Sequence, residues 1–224
     1  MGYCDIFFDL DHTLWDFDRN SALAFGHIFK SRNMPVALDG FLHHYIPLNK
    51  LYWEKYRHDL ISQEQLRYMR LRDSFDLLNY QVDDDTIHAI SADYIESLTT
   101  FNHLFDDAIE ILEYLGSRYR LHIITNGFQS IQDRKIDNSG LRRFFLTVTN
   151  SEDCGVKKPN PLIFEHALRV ARADPGRSVM IGDCIDADVR GALNCGLDAI
   201  LFSAEPCPDG ITRISALSEL KNIL

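Results

Sequence analysis

Tyr3-Cys4-Asp5-Ile6-Phe7-Phe8-Asp9-Leu10-Asp11-His12-Thr13 decides how this chain is read. An apolar run suited to a buried strand stops at two carboxylates one residue apart, followed by a hydroxyl. Side chains alternate faces along a strand, so positions two apart project from the same side. Where the backbone bends away at the strand end, Asp9 can offer a side-chain oxygen and Asp11 a backbone carbonyl to one cation. Two carboxylates held this close repel unless a metal or a proton lies between them. An isolated Asp-x-Asp is usually a solvated turn, so the rest of the chain must decide.

Downstream, short apolar segments alternate with helical patterns. Leu121-His122-Ile123-Ile124 runs into Thr125-Asn126-Gly127, Leu146 to Thr149 forms a third strand-like run, and Ser178 to Gly182 ends at Asp183. Asp198 to Phe202 is a fifth strand, and Ser215 to Leu224 reads as a closing helix. Between them, Ala108, Ile111, Leu112 and Leu115 mark one helix face and Phe164, Ala167, Leu168 and Ala171 another. Asn160 suits an N-cap and Pro161 a first helical position. After Asp183 a helix is expected with Val189, Ala192 and Leu193 inward. Such alternation predicts an α/β fold, a Rossmann-like parallel sheet core with helices on both faces.

The stretch from Asn20 to about Leu98 is different. It is helical in texture, with a capping box at Ser62 and Gln65, and Tyr68, Leu71, Phe75 and Leu78 at helical spacing. Asp83-Asp84-Asp85 reads as a solvated helix start. The aromatics Tyr45, Tyr52, Trp53 and Tyr56 read as helix packing, with a ligand pocket as the alternative. A segment this long without strands is no ordinary crossover. The expected organisation is a core of residues 1–16 and 101–224 with an inserted all-α helical cap, residues 17–100.

Composition narrows the function classes. The 224 residues are 46% hydrophobic and 25% charged, ordinary for a soluble globular protein, and the net charge is −10. No basic block is present, which argues against a nucleic acid polymer as partner. No segment approaches the roughly 20 apolar residues of a membrane span. Five cysteines, with no Cys-x-x-Cys pair, suit a reducing cytoplasm, and the N-terminus lacks the pattern of a signal peptide. The expectation is a cytoplasmic monomer or weak homo-oligomer acting on a small phosphorylated substrate.

In open parallel sheets ligands bind beyond the carboxyl ends of the strands. Four such ends carry Asp9 with Asp11, Thr125 with Asn126, Lys158 just past the third strand, and Asp183 with Asp188. Together these groups suit phosphoryl transfer. Asp9 is the candidate nucleophile, since a carboxylate forms an acyl phosphate and divides one hard step into two. Asp9, the Asp11 carbonyl and Asp183 would hold Mg2+. Lys158 adds fixed positive charge, and Thr125 with Asn126 and Lys158 would hold the phosphate. Asp11 is the candidate acid and base. Asp188 and Thr13 support the site from behind, Asp188 orienting Lys158 or a metal-bound water.

Asp9-x-Asp11-x-Thr13, Thr125-Asn126-Gly127, Lys158-Pro159 and Gly182-Asp183-x-x-x-x-Asp188 resemble, in order, the four motifs of the haloacid-dehalogenase superfamily. The resemblance spans the whole chain and implies Mg2+-dependent hydrolysis through an aspartyl-phosphate. More narrowly, Asp11 to Asp18, Ile124 to Phe128 and Lys158 to Phe164 are similar to a bacterial subgroup of pyrimidine nucleoside 5′-monophosphate phosphatases. Two wordings depart from the pattern: Cys184 stands where Ser or Thr is frequent, and Lys157 precedes Lys158. The alternatives are a phosphatase for phosphoglycolate or a sugar phosphate, or a 2-haloacid dehalogenase on the same fold. A phosphoacceptor receiver domain shares the acids, the hydroxyl and Lys-Pro, but not a helical insertion after the first strand. A dehalogenase attacks carbon and needs no acid for a departing alkoxide, so Asp11 speaks for a phosphatase.

Overall fold

The computed structural model describes residues 2–224. They divide into two compact units, one holding the chain up to Asp16 together with Asn102–Leu224, the other Phe17–Phe101.

The first unit is built on a parallel sheet. Its strands are β1 (Asp5–Phe8), β2 (Arg120–Thr125), β3 (Thr147–Asn150), β4 (Ser178–Gly182), β5 (Asp198–Phe202) and β6 (Thr212–Ile214), in the order β3-β2-β1-β4-β5-β6. β1 lies between β2 and β4 and is buried along its whole length, as is β4. A parallel strand covered on both faces needs a continuous apolar run, which Ile6-Phe7-Phe8 and Val179-Met180-Ile181 supply. Phe7, Met180 and Ile124 pack with Ile163, Phe164 and Ala167 in one fully buried layer.

Register then determines what meets at the sheet's carboxyl edge. Phe8 pairs with Ile123 on one side and Ile181 on the other. Asp9 therefore stands level with Ile124 and Gly182, with Thr125 and Asp183 one residue beyond. Its own N–H continues the ladder to Ile181 O at 2.9 Å.

Four helices, α1 (Phe17–Ser31), α2 (Leu38–Arg57), α3 (Gln63–Leu77) and α4 (Asp84–Leu98), make up the second unit. Ser62 and Gln65 cap α3 reciprocally, and Asp83 caps α4 by accepting from Thr86 N–H at 2.7 Å. Phe25, Phe29, Phe41, Tyr45, Phe75 and Tyr94 interlock as an aromatic interior. Tyr45 and Tyr52 are buried, whereas Trp53 and Tyr56 are half-buried. Arg70 lies inside this aromatic unit, 4% exposed, donating to Asn49 at 2.8 Å and set over the rings of Tyr45 and Tyr94.

In the first unit the remaining helices are α5 (Ala108–Gly116), α6 (Gln129–Asn138), α7 (Ser151–Cys154), α8 (Pro161–Ala171) and α9 (Gly191–Asn194). Three readings are corrected here. Ser215 to Leu224 is not a closing helix: Thr212–Ile214 is a sixth strand, and Leu217–Asn222 is a 3₁₀ segment. Glu219 binds the N–H groups of Ser215 and Ala216, which anchors that tight turn. The helix after Asp183 starts as a π-helical turn, Ile185–Arg190, before α9. Leu193 faces outward, 50% exposed, because the wider turn shifts the inward face to Val189 and Ala192. Among the described residues no helix is long and apolar enough to cross a membrane.

A set of polar contacts around buried Asp5 and His122 pins β1 to β2 and β3. Asp5 accepts from Arg120 at 2.8 Å and faces His122 Nε2 at 3.1 Å, while His122 Nδ1 lies 2.8 Å from the Thr147 hydroxyl. Facing a carboxylate, Nε2 carries the hydrogen and Nδ1 accepts. Burial holds His122 below its ordinary 6.5, against the opposing pull of Asp5. The unfolded chain therefore binds the extra proton first. Stability from this site is full above the unfolded value and falls as pH drops through the lower folded one. Urea midpoints at about pH 7.5 and about pH 5 should show a decline that is smaller in His122→Gln. Equal declines in the two proteins would place the acid sensitivity elsewhere.

Candidate active site at the strand ends

Lys158 organises the site. It is 2% exposed, and its ammonium reaches three oxygens: Asp9 Oδ1 at 2.6 Å, Asp188 Oδ1 at 2.7 Å and Ile124 O at 2.7 Å. Asp9 and Ile124 O accept its hydrogen bonds, and Asp188 Oδ1 faces it as an ion pair. Burial alone would lower the pKa of Lys158, but Asp188 and Asp9 outweigh it and raise the net value, keeping the group charged. Lys157, its neighbour, is half-buried.

The loop carrying Lys158 is held by Asn126. The Asn126 amide donates to Lys158 O at 2.9 Å, and its carbonyl accepts from Lys158 N–H at 2.7 Å. The peptide bond between Lys158 and Pro159 is cis. Asn126 was read as a phosphate ligand, but its side chain is engaged at both ends in shaping this loop.

Asp9, Asp183 and Asp188 each place a carboxylate oxygen within 4.8 Å of the others. Asp188 also accepts the N–H of Cys184 at 3.0 Å. Its approach depends on Gly182, since a Cβ there would stand 2.3 Å from Asp188 Oδ2. Cys184 Sγ accepts from Ala187 N–H at 3.4 Å, the capping contact a Ser or Thr hydroxyl makes. Burial pushes Asp9 up to about 8 and Asp183 up to about 7; Lys158 opposes this, and the neighbouring acids add to it. Three carboxyl groups against one ammonium make a site that gains from further positive charge, as protons or as a cation. All-oxygen, anionic donors of this kind fit a hard divalent cation such as Mg2+. Asp188 thus belongs to the acid cluster as well as to Lys158, a closer place than a purely supporting one.

Asp11 occupies a different environment. Its Oδ1 accepts from Lys135 Nζ at 2.6 Å and its Oδ2 from Gln132 Nε2 at 2.9 Å. The turn behind it is tight: His12 is in the left-handed region, and Leu14 and Trp15 N–H both return to Leu10 O. Thr125, fully buried, accepts from Gln132 at 2.7 Å and from Gly127 N–H at 3.2 Å. Thr13 is also fully buried, and its hydroxyl finds no hydrogen-bond partner among the described residues.

Gln132 and Lys135 were missed in the sequence. The signal was available: both sit on the inward face of α6 with Ile131 and Ile136, and both are buried. A Lys and a Gln on a helix's apolar face require partners. Trp15 and Phe17 are both buried, and the Trp15 ring lies 4.4 Å from Lys135 Nζ.

Comparison with known proteins shows the family. A family model described as haloacid dehalogenase-like hydrolase matches residues 6–196. The pyrimidine 5′-nucleotidase YjjG of Escherichia coli is 30% identical over 98% of this chain and 96% of its own. PynA, a pyrimidine 5′-nucleotidase of Streptococcus pneumoniae, is 30% identical over 91% of this chain and 85% of its own. A glyceraldehyde 3-phosphate phosphatase of Methanothermobacter thermautotrophicus is 30% identical over 98% of both chains. Among solved structures, the HAD-hydrolase YfnB of Bacillus subtilis, described as bound to magnesium, superposes with a TM-score of 0.89 at 27% identity. That match covers 100% of this chain and 99% of YfnB.

Replacing Lys158 by Met should lower catalytic turnover at least about a hundredfold, roughly 2.7 kcal/mol in barrier terms. The same change at Lys157 should cost less than about threefold. Steady-state kinetics on both folded variants check this, and equal losses would show that the buried ammonium has no special part.

Proposed function

The chain belongs to the haloacid dehalogenase-like hydrolases, and we propose that it is a Mg2+-dependent phosphatase preferring pyrimidine nucleoside 5′-monophosphates. The observation that carries the phosphatase reading is the separation of two carboxylates two residues apart into different surroundings. Asp9 sits in the acid cluster beside Lys158, and Asp11 is held apart by Lys135 and Gln132. A displacement at carbon needs only the first of these.

In this reading Asp9 attacks phosphorus, forming an O–P bond as the ester P–O bond breaks. Asp11 gives its proton to the departing alkoxide. The carboxylate of Asp11 then takes a proton from water as that water attacks the aspartyl-phosphate, releasing phosphate and restoring Asp9. Lys158 supplies fixed positive charge beside the nucleophile, and Thr125 with nearby backbone N–H groups binds the phosphoryl oxygens. Asp9, Asp183 and Asp188 would hold Mg2+, joined by the Asp11 carbonyl. When bound, the ion supplies the positive charge that lets a carboxylate approach a phosphate dianion.

The choice of leaving group is assigned to the helical unit, residues 17–101. The nucleotidase reading rests on the two nucleotidase relatives and on the subgroup wording. The triose-phosphatase relative supports a second reading, in which the same chemistry serves a small sugar phosphate.

Two measurements test these assignments. Asp9→Asn should retain less than about a hundredth of the wild-type rate, and more than that would remove Asp9 as nucleophile. The substrate class is checked by kcat/KM for UMP, dUMP and dTMP against AMP, phosphoglycolate, glyceraldehyde 3-phosphate and a hexose phosphate, each with and without EDTA. Pyrimidine nucleotides should lead and EDTA should abolish turnover. A non-nucleotide ahead by about tenfold would leave the phosphatase reading and end the nucleotidase one.

A further inference from the structure

We propose that Gln132 and Lys135 act together as positioning residues, a bracket of donors that fixes the Asp11 carboxylate and turns the Thr125 hydroxyl hydrogen toward the bound phosphoryl group. Neither residue belongs to the motif set, and the inference rests on the phosphatase reading above.

The argument is one of hydrogen counting. The Gln132 amide nitrogen carries two hydrogens. One goes to Asp11 Oδ2 at 2.9 Å, the other to Thr125 Oγ1 at 2.7 Å. The opposite amide orientation would set its carbonyl against a carboxylate, so the direction is forced. Thr125 Oγ1 also accepts from Gly127 N–H at 3.2 Å. Both lone pairs of that oxygen are then filled, and its hydrogen can only donate. A fully buried hydroxyl compelled to donate at a strand end is a ready contact for an anionic oxygen.

Lys135 completes the bracket on the other Asp11 oxygen at 2.6 Å. It is 2% exposed, with the Trp15 ring 4.4 Å from its ammonium, so the chain has little room to swing. Asp11 is thereby held at both oxygens, and its plane is set before substrate arrives. Gly127 belongs to the same device. A Cβ there would stand 2.4 Å from Gln132 Cδ, so only glycine lets the amide reach both partners.

The bracket predicts effects that separate by readout. The probes are the full-length chain, thymidine 5′-monophosphate, p-nitrophenyl phosphate and inhibition by inorganic phosphate. A nitrophenolate departs without a proton, and kcat/KM counts only steps through departure of the leaving group. Lys135→Met should therefore lower kcat/KM on the nucleotide about thirtyfold or more, with less than about threefold on the aryl ester and on phosphate inhibition. Gln132→Glu keeps the size but replaces donor by acceptor, and should lower kcat/KM on both esters and weaken phosphate inhibition about tenfold or more. Gln132→Leu, apolar on an apolar face, keeps the test open should the Glu variant not fold, and should weaken phosphate inhibition in the same direction. Thermal shift by inorganic phosphate gives a readout apart from turnover, and should shrink in both Gln132 variants but not in Lys135→Met. Folded Gln132 variants within about threefold of wild type on every readout would overturn the bracket while leaving the phosphatase reading intact. Uniform losses across both esters in Lys135→Met would reduce that residue to a structural one and overturn the proposal. A wild-type protein hydrolysing neither ester would overturn the phosphatase reading itself, and the bracket with it.

Discussion

One buried ammonium holds this site together. Lys158 lies among Asp9, Asp188 and the Ile124 carbonyl, hydrogen-bonded to the first and last and ion-paired with Asp188. Without it, three carboxylates would crowd one end of a sheet in a water-poor environment, where unscreened like charges are costly. Even with it, Asp9 and Asp183 stay well above the usual carboxylate range. The acids there thus hold on to protons, and a divalent cation would take the place of those protons. The groups are placed by contacts in the rest of the first unit.

That placement has identifiable sources. β1 and β4 are buried along their lengths, and their register sets Asp9 level with Gly182 and one residue short of Asp183. Asn126 clamps the Lys158 backbone at both polar groups, so the ammonium enters at a fixed height. Glycine at 182 gives Asp188 its place. Each contact is local, but they converge on a volume a few ångströms across. Catalytic positioning of this kind depends on supporting contacts as much as on the reacting groups.

The two units differ in how they are stabilised. The first buries an ionic and hydrogen-bonded layer beneath its strand ends, including the Asp5–Arg120–His122–Thr147 set at the opposite edge. The second is an aromatic interior in which Arg70 is the conspicuous charge, held by Asn49 and two ring faces. Stacked rings tolerate a guanidinium because their faces are electron-rich. The sequence signalled this contrast through period alone: alternating apolar strands and helices in one unit, helical spacing throughout the other.

Sequence by itself determined the alternating α/β pattern, the position of β1 and β4, the helical tract after Asp16, and the identity of the acids, hydroxyl and lysine at the strand ends. These were legible because apolar run length, turn chemistry and strand-end acids are local properties of the chain. Belonging to a known family was legible for the same reason, since its motifs are short and contiguous. The tertiary structure alone decided that β6 exists and that the C-terminal segment is 3₁₀, because a three-residue edge strand has no periodicity to read. It decided that Leu193 faces outward, since a π-helical turn rotates everything after it. It also decided the partners: that Asn126 serves the backbone of Lys158, that Asp188 joins the acid cluster, and that Gln132 and Lys135 hold Asp11 from 121 and 124 residues away. A hydrogen bond across such a separation is set by how a helix docks on a sheet, and no local rule of spacing encodes it.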